Sequence, residues 1–242
     1  MPKIELVVCD MAGTTVRDDD EVQRCFAEAA AATGLEADPD KLRFMMGWSK
    51  RSVFQTLWQA QLGADHPDCE TNVDASFARF KTILENYYHN QPVSPTEGCL
   101  ELFDWLKAQG IKIALTTGFY REVATIILDR LGWSQGLNQD YVGSSDSIIQ
   151  ASITPSEIYG NEGRPAPFMI QKAMYRLAMT DSKQVINIGD TPSDIESGYH
   201  ANCLLSLGVT NGTHSREQLM AYPNDGLLAG IGELKETILS LN

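Results

Sequence analysis

One stretch near the start of the chain, residues 4–16, restricts the fold more than any other. It reads IELVVCDMAGTTV, and its apolar, β-branched first half ends at Asp10, as is typical of a buried strand. The small and hydroxyl-bearing residues 12–15 then turn the chain. A carboxylate at the carboxyl end of a parallel strand faces the crevice in which open α/β sheets bind ligands. The stretch therefore predicts either a phosphoryl cradle with a nucleophilic Asp10 or a helix-capping aspartate.

A second strand end carries two more carboxylates. Residues 185–188 form another apolar strand, and Asp190 and Asp194 follow it four positions apart, with Pro192 suited to the start of a helix. Mg²⁺ prefers one or two carboxylates together with substrate oxygens. We therefore expect these aspartates and Asp10 to hold a hard, oxygen-seeking cation.

The composition is that of a globular protein with an acidic surface. The chain has 242 residues, 43% of them hydrophobic and 21% charged, which suits one α/β domain plus an insertion. Its net charge of −13 argues against a nucleic-acid partner, because nucleic acid favours a basic surface. No secretory signal or membrane span of ~18 apolar residues is visible, so we expect a cytoplasmic protein without a membrane partner. Five scattered cysteines indicate reduced thiols.

The remaining pattern divides the chain into two parts. Residues 17–92 have helical periodicity, whereas helices and strands alternate from residue 96 onward. Alternation of this kind predicts a doubly wound parallel sheet with right-handed crossovers. We predict an α/β core domain of residues 1–16 and 93–242 with an inserted all-helical cap domain of residues 17–92.

Further expectations concern the connections between the two predicted domains and one region of the core. The short segments 17–20 and 93–96 are the two links between the predicted domains, so we expect the helical part to open and close over the core. Within the core, residues 140–143 are a candidate short strand. Residues 144–163 are long and polar, and such stretches are often functional or mobile.

Three motifs in order resemble the haloacid dehalogenase superfamily: D-x-x-G-T from Asp10, a strand that ends before Thr117 and Gly118, and G-D-x-x-x-D from Gly189. The resemblance covers nearly the whole chain and implies a Rossmann-like core with a helical cap. It implies Asp10 as nucleophile and metal ligand. It also implies Mg²⁺ held by Asp10, Asp190 and the backbone carbonyl of Ala12, with Asp194 orienting a ligand and Thr117 and Gly118 completing the phosphoryl cradle.

The alanine at position 12 disfavours one large group of this superfamily, the ordinary phosphatases. Most phosphatases of the superfamily have a second aspartate two residues after the nucleophile, and it protonates the leaving oxygen. An alanine cannot donate that proton, and general acid–base help is typically worth ~10²–10⁴ in rate. Ordinary ester hydrolysis is therefore disfavoured unless another group or a water molecule acts as the acid.

A loop in the helical part offers a different chemistry. Residues 46–50 read MGWSK, and together with Ala12 they resemble the phosphonoacetaldehyde hydrolase (phosphonatase) family, whose cap has a Met-Gly-x-x-Lys loop. The resemblance places Met46 at the substrate and implies that Lys50 forms a Schiff base with the substrate aldehyde. A protonated imine accepts the electrons of the breaking C–P bond as an enamine, so no acid is needed at Ala12. Lys50 would need a pKa below the ~10.4 of a free lysine.

The alternative for this lysine stays open. Related helical caps often have a Gly-x-Ser-Arg or Gly-x-Ser-Lys loop that only positions substrate, and the loop before Lys50 fits that pattern equally well. Arg164 favours the phosphonatase resemblance, because Gly-Arg-Pro stands there in place of the superfamily's usual lysine and its guanidinium suits phosphonate oxygens. Val53 and Asp20 are departures, since we expect a histidine and a cysteine at these positions of that family.

The leading hypothesis is a Mg²⁺-dependent hydrolase that cleaves the C–P bond of phosphonoacetaldehyde or a related carbonyl phosphonate. One alternative is a phosphatase or sugar-phosphate mutase of the same superfamily in which Lys50 only positions substrate. A second is a non-catalytic phosphate-binding protein with the same fold. We expect a small phosphonate or phosphate substrate, and by analogy with family dimers a possible homodimer through the cap.

Overall fold

The centre of the molecule, described over residues 3–241 by a computed structural model, is a parallel β-sheet. Within those residues six strands pair in the order β3-β2-β1-β4-β5-β6. Every pairing is parallel, which confirms the predicted α/β class. The strands are β1 (Leu6–Asp10), β2 (Lys112–Thr116), β3 (Ala151–Ile153), β4 (Val185–Gly189), β5 (Leu205–Val209) and β6 (Leu227–Leu228).

Both faces of the sheet are covered, as its apolar strands require. All five residues of β1 are buried. Leu6 and Val8 lie in one hydrophobic cluster, whereas Val7 and Cys9 lie in another, because successive side chains of a strand point to opposite faces. This two-sided burial explains why the first strand reads as a continuous apolar run and not as an alternating one.

Helices before and between the strands provide that cover. Helix α7 packs its apolar side in the cluster of Leu6, and α5, α6 and α10 belong to the cluster of Val7. The helices of this part are α5 (Cys99–Ala108), α6 (Arg121–Leu131), α7 (Phe168–Arg176), α8 (Pro192–His200), α9 (Arg216–Met220) and α10 (Leu234–Ser240). Their order along the chain agrees with the alternation in the sequence.

A helical segment of residues 17–92 separates β1 from α5. It contains α1 (Glu21–Thr33), α2 (Pro39–Phe44), α3 (Lys50–Leu62) and α4 (Cys69–Asn90). The chain enters and leaves it side by side, since Arg17 N–H donates to Ser94 O at 3.0 Å and Thr96 N–H donates to Thr15 O at 3.0 Å. The two connections therefore lie next to each other.

Three buried phenylalanines form the centre of the helical segment. The ring centroids of Phe26 and Phe80 lie 4.2 Å apart, and Phe54 contacts both rings, at 4.8 Å from Phe26 and 5.7 Å from Phe80. These offset and edge contacts are the favoured geometry of aromatic pairs. The cluster joins α1, α3 and α4 and is continuous with the hydrophobic core on one face of the sheet.

The strand predicted at residues 140–143 is wrong. Tyr141 has a positive φ of 56°, which a strand does not allow. The side chain of Asn138 instead holds a turn by accepting the N–H groups of Asp140 and Val142 at 2.9 and 3.0 Å. Only an isolated bridge joins Val142 to Ala151.

Smaller differences concern short elements. The edge strand β3 (Ala151–Ile153) lies inside the long polar stretch of residues 144–163. The other edge strand, β6, has only two residues. The sequence predicts that the short helix from residue 39 ends near residues 46–47, whereas α2 ends at Phe44. Such short elements lack enough residues for a periodic pattern.

All five cysteines are buried free thiols, as their spacing predicts. No helix within residues 3–241 combines the length and the apolar character that crossing a membrane requires.

We predict that Phe80→Ala lowers the free energy of unfolding by about 3–5 kcal/mol, because it leaves a cavity between two other rings. Phe44→Ala serves as the control, since the Phe44 side chain is 52% exposed and its removal should change that free energy by about 1 kcal/mol or less. Urea unfolding followed by circular dichroism measures both. Equal effects of the two substitutions would contradict the described packing.

Candidate active site

The carboxyl ends of three adjacent strands bring the predicted polar residues together. Asp10 ends β1 and lies opposite Thr116 of β2, while Asp190 follows the last residue of β4. Thr117 and Gly118 follow β2 directly. Because the strands are parallel, all of these residues lie at one edge of the sheet, where α/β proteins bind ligands.

Arg164 is the central cation of this edge. Its Nη1 lies 2.5 Å from Asp10 Oδ1 and 2.6 Å from Asp194 Oδ1, and its Nη2 donates to Thr116 Oγ1 at 2.6 Å. The side chain is buried, and its pKa is raised by the charges of Asp194 and Asp10 against the effect of burial. Arg164 therefore stays charged and links the carboxylate at the end of β1 to the carboxylate in the first turn of α8.

The two aspartates of the G-D-x-x-x-D motif, Asp190 and Asp194, have different partners. Asp190 Oδ2 accepts the N–H of Thr213 at 2.6 Å. Asp194 Oδ2 accepts both the N–H and the hydroxyl of Thr191, at 2.9 and 2.6 Å. Asp194 thus caps the start of α8 while its other oxygen faces Arg164, and this placement suits the orienting role predicted for it.

Asp10, Asp190 and Asp194 together have the donor set of a divalent cation. All three are buried, and each offers an oxygen within 4.8 Å of the others. Burial, followed by the charge of Asp194, raises the pKa of Asp190 to about 6. Burial also raises the pKa of Asp10, with Asp194 and Asp190 adding to the effect and Arg164 opposing it. One guanidinium faces three carboxylates, so a hard cation would relieve the remaining repulsion.

Glycines make room for this carboxylate group. A Cβ on Gly13, which has a φ of +87°, would collide with the carboxylate of Asp190. A Cβ on Gly212 would collide with the same carboxylate from the other side. The glycine of the first motif therefore allows the backbone loop to approach Asp190 closely.

The helical segment covers the site and leaves a small cavity. The cavity has a volume of about 20 Å³, which accommodates about one water molecule. Its lining includes most of the predicted site residues and comes from both parts of the chain. They are Asp10, Ala12, Met46, Lys50, Thr117, Gly118 and Asp190, and Asp18, Val22, Gly47, Phe119, Thr191 and Thr213 lie among them.

Lys50 enters this cavity from the first turn of α3. It is 6% exposed, and its Nζ lies 5.8 Å from the ring centroid of Phe26 and 5.2 Å from that of Phe119. Among residues 3–241 the amine has no hydrogen-bond or ion-pair partner. Burial lowers the pKa of Lys50 to about 8, although the charges of Asp10 and Asp18 oppose the change. Burial and a lowered pKa are the properties that a nucleophilic lysine amine requires.

The loop before Lys50 fits closely against the core through glycines. A Cβ on Gly47, which has a φ of +90°, would lie 2.5 Å from the hydroxyl oxygen of Thr191. A Cβ on Gly118 would lie 2.7 Å from the carbonyl oxygen of Gly47 and would also collide with that of Trp48. These contacts determine how deeply the helical segment is seated on the core.

Several residues of the cavity, Asp18 and Thr213 among them, are not singled out by the sequence patterns. Asp18 lies in an acidic run that reads as a solvated connection, and no periodicity marks it as buried. Thr213 lies in the loop after β5 and donates its backbone N–H to Asp190. A strand-end signal could have found Thr213, because β5 is parallel to β4 and its loop lies at the same edge.

Comparisons with known proteins agree with this architecture. A family model described as haloacid dehalogenase-like hydrolase matches residues 7–206. A phosphonoacetaldehyde hydrolase of Bacteroides fragilis is 28% identical, over 99% of this chain and 90% of its own. A phosphonoacetaldehyde hydrolase-like protein from Oleispira antarctica superposes with a TM-score of 0.77 at 20% identity, over 98% of this chain and 92% of its own.

A third relative comes from a different functional group. A solved structure described as a predicted phosphoglycolate phosphatase of Haemophilus somnus superposes with a TM-score of 0.73 at 16% identity, over 98% of this chain and 99% of its own. Similarity to solved structures at such low identity establishes the fold, which hosts several chemistries. The reaction must therefore be argued from the residues of the site.

We predict that Gly118→Ala prevents the loop before Lys50 from seating on the core, because the new methyl group meets backbone carbonyls that cannot rotate away. Overpacking of this kind should lower the free energy of unfolding by about 1–3 kcal/mol. It should also raise hydrogen exchange at residues 45–50. Gly232→Ala is the matched control, since its methyl group meets only the backbone of Gly98 at 3.4 Å or more. Unchanged exchange in Gly118→Ala would contradict the described contact.

Proposed function

Because the chain belongs to the haloacid dehalogenase-like hydrolase family, we propose that it hydrolyses the C–P bond of phosphonoacetaldehyde or a closely related carbonyl phosphonate. Asp10 is the nucleophile on phosphorus, and Lys50 activates the carbonyl group as a Schiff base. The observation that carries the proposal is the unpaired, buried amine of Lys50 in the same cavity as Asp10. A lysine that only positioned an anion would need a high pKa, whereas burial lowers this one.

The identity of residue 12 supports the same reaction. Ala12 lines the cavity beside Asp10 and has no proton to give to a leaving oxygen. In C–P cleavage the leaving group is a carbanion, so stabilisation of its electrons matters more than an acid at this position. A protonated imine at Lys50 supplies that stabilisation, since the electrons of the broken bond form an enamine.

Lys50 acts first in this scheme. At pH 7 a lysine with a pKa of about 8 is unprotonated in roughly one molecule in ten, against roughly one in 2,500 for an ordinary lysine. The free amine attacks the carbonyl carbon, and loss of water leaves the imine. The apolar rings of Phe26 and Phe119 around the amine keep its pKa low.

Asp10 and Arg164 act on the phosphonyl group. Arg164 already contacts Asp10 at 2.5 Å, and its remaining N–H groups suit two phosphonate oxygens. Attack of the Asp10 carboxylate on phosphorus transfers the phosphoryl group to Asp10 as the C–P bond breaks, and water then hydrolyses this acyl phosphate to release phosphate and the free carboxylate. Thr117 and the N–H of Gly118 lie at the same strand edge and complete the cradle.

The carboxylate group has the donor set of Mg²⁺. Asp10, Asp190 and the carbonyl of Ala12 would hold the ion, while Asp194 orients Arg164 and the start of α8. The ion would neutralise phosphonate charge and lower the pKa of Asp10, which burial otherwise raises. This role agrees with the surplus of carboxylates over cations at the site.

The helical segment acts as a cap in this proposal. The cavity of about 20 Å³ is too small for a phosphonate, so the segment must open to admit substrate. The adjacent connections at residues 17–20 and 93–96 are the natural hinge. Closure brings Lys50 to the carbonyl carbon and excludes water from the imine.

The second candidate is a phosphatase or phosphomutase in which Lys50 only positions a phosphate ester. The observation that favours it is the cradle of Arg164, Thr117 and Gly118, which suits a phosphate as well as a phosphonate. In that case a water molecule or another side chain replaces the acid that Ala12 cannot provide. A panel of phosphate esters assayed beside phosphonoacetaldehyde for release of inorganic phosphate distinguishes the two.

We predict that borohydride, added with phosphonoacetaldehyde and Mg²⁺, traps a covalent adduct on Lys50 that mass spectrometry of peptides locates. Trapping should become faster as pH rises towards 8, because the neutral amine is the nucleophile. Lys50→Arg keeps the charge but cannot form the imine, so C–P cleavage should fall about 10³-fold or more, about 4 kcal/mol of barrier. Lys41→Arg, on an exposed position of α2, is the control. If Lys50→Arg retains C–P cleavage, Lys50 only positions the substrate and forms no imine.

We predict that Asp190→Asn weakens Mg²⁺ binding at least tenfold, a loss that even outer-shell changes commonly produce. Isothermal titration calorimetry with MgCl₂ measures the affinity without reference to activity. Asp129→Asn, on the exposed side of α6, removes the same charge far from the site and should leave the titration unchanged. If both variants bind Mg²⁺ like the unmodified protein, Asp190 is not a metal ligand.

A further inference from the structure

Asp18 is the one ionisable residue of the cavity that the proposed reaction does not yet use. It lies in the first connection to the helical segment and lines the cavity together with Lys50 and Asp10. Its Oδ1 accepts the backbone N–H of Glu21 at 3.0 Å, and the charge of the Glu21 carboxylate acts on it. Two acidic side chains therefore meet at the point where the hinge enters the site.

The Asp18–Glu21 pair holds a proton at neutral pH. Glu21 is buried, and its Oε2 accepts the N–H of Asp19 at 2.5 Å, so its oxygen is held in place. Burial, followed by the charge of Glu21, raises the pKa of Asp18 to about 8, with Asp190 adding to the effect and Lys50 opposing it. A nearby like charge disfavours the ionised form of a carboxyl group, so Asp18 keeps its proton at pH 7.

The other candidates for proton transfer near Lys50 are excluded by their contacts. Asp10 is paired with Arg164, and Asp190 accepts from Thr213. Within residues 3–241 no histidine lines the cavity. One turn after Lys50 on α3 stands the apolar, fully buried Val53.

We propose that Asp18 is the proton-transfer residue for imine formation and imine hydrolysis at Lys50, an inference that rests on the proposed Schiff-base function. Chemistry at a lysine imine requires an acid to remove the carbonyl oxygen as water and a base to accept a proton when water returns. The Asp18–Glu21 pair supplies both forms beside the amine.

The first step consumes the proton. Attack of the neutral Lys50 amine on the carbonyl carbon forms a C–N bond, and transfer of one proton from nitrogen to oxygen gives a neutral carbinolamine. Asp18 then donates its proton to the hydroxyl group as the C–O bond breaks. Water leaves, and the protonated imine and the Asp18 carboxylate remain.

The last step returns the proton to Asp18. After C–P cleavage and protonation of the enamine carbon from solvent, a water molecule attacks the imine of the product aldehyde. The Asp18 carboxylate accepts a proton from that water as the C–O bond forms. The carbinolamine then releases the aldehyde and the free Lys50 amine, and Asp18 is again a carboxylic acid.

The experiment measures how fast the Lys50 imine forms. The full-length protein is mixed with phosphonoacetaldehyde and Mg²⁺, quenched with borohydride at successive times, and the adduct on Lys50 is quantified by mass spectrometry. Asp18→Asn should slow adduct formation about 10²-fold at pH 7, the typical loss of a general acid. Formation at the unmodified rate would overturn the proposal.

The neighbouring Asp20 provides the matched control. Its side chain is exposed and its φ is +65°, a conformation that asparagine tolerates well. Asp20→Asn therefore removes one acidic charge from the same connection without disturbing its backbone. It should form the adduct at the unmodified rate, and a loss equal to that of Asp18→Asn would assign the effect to charge alone and overturn the proposal.

Glu21→Gln tests the pair even if Asp18→Asn fails to fold. Glutamine keeps an acceptor oxygen but removes the charge that favours the protonated form of Asp18. Adduct formation needs a neutral Lys50 and a protonated Asp18, so its rate rises and then falls with pH. The charged groups that face Asp18 are Glu21, Lys50 and Asp190. The falling limb should move about one unit to lower pH in Glu21→Gln, whereas an unmoved limb would overturn the proposal.

Failure of this inference differs from failure of the proposed function. If the unmodified protein forms no Lys50 adduct, the Schiff-base function itself is wrong. If it forms the adduct and Asp18→Asn forms it equally fast, the function stands and Asp18 has no part in proton transfer.

Discussion

The ion pairs of Arg164 are the interaction on which the site depends. One buried guanidinium contacts Asp10 from β1, Asp194 from α8 and the hydroxyl of Thr116 from β2. Buried carboxylates at such short separations repel one another, and unpaired they would destabilise the fold. Arg164 lowers this repulsion and at the same time holds the Asp10 carboxylate in one orientation. The remaining negative charge favours a hard cation at the site.

The two parts of the chain contribute opposite environments to one cavity. The core supplies carboxylates, hydroxyls and backbone N–H groups, which suit a charged phosphonyl group. The helical segment supplies an amine among aromatic rings, where burial favours its neutral form. A carbonyl phosphonate needs both environments, since one end of it is an anion and the other must react with a free amine. The proposed chemistry follows from this contrast more than from any single residue.

The sequence predicts most of this arrangement because parallel sheets impose it. Apolar runs that end in Asp10, Thr117 and Asp190 must meet at one edge once the strands are parallel, so three distant motifs predict one site. The sequence pattern predicts a helix over Arg121–Leu131, and α6 has these bounds, because a long amphipathic pattern is readable. The strand at Ala151–Ile153 is too short for such a pattern, and the turn that replaces the predicted strand at 140–143 depends on the side chain of Asn138. Partial burial of Asp18 is a tertiary effect that no local pattern reveals.

The tight seat of the helical segment has a kinetic consequence. In the proposed function a ligand cannot enter the cavity of about 20 Å³ until the helical segment lifts. Binding then follows conformational selection, and the observed association rate levels off at the opening rate as ligand concentration increases. Long-range electrostatics would be secondary in that regime, which suits the proposed binding of an anionic phosphonate by a chain of net charge −13. In this proposal the acidic surface does not slow binding, because opening of the helical segment limits the rate and diffusion to the molecule does not.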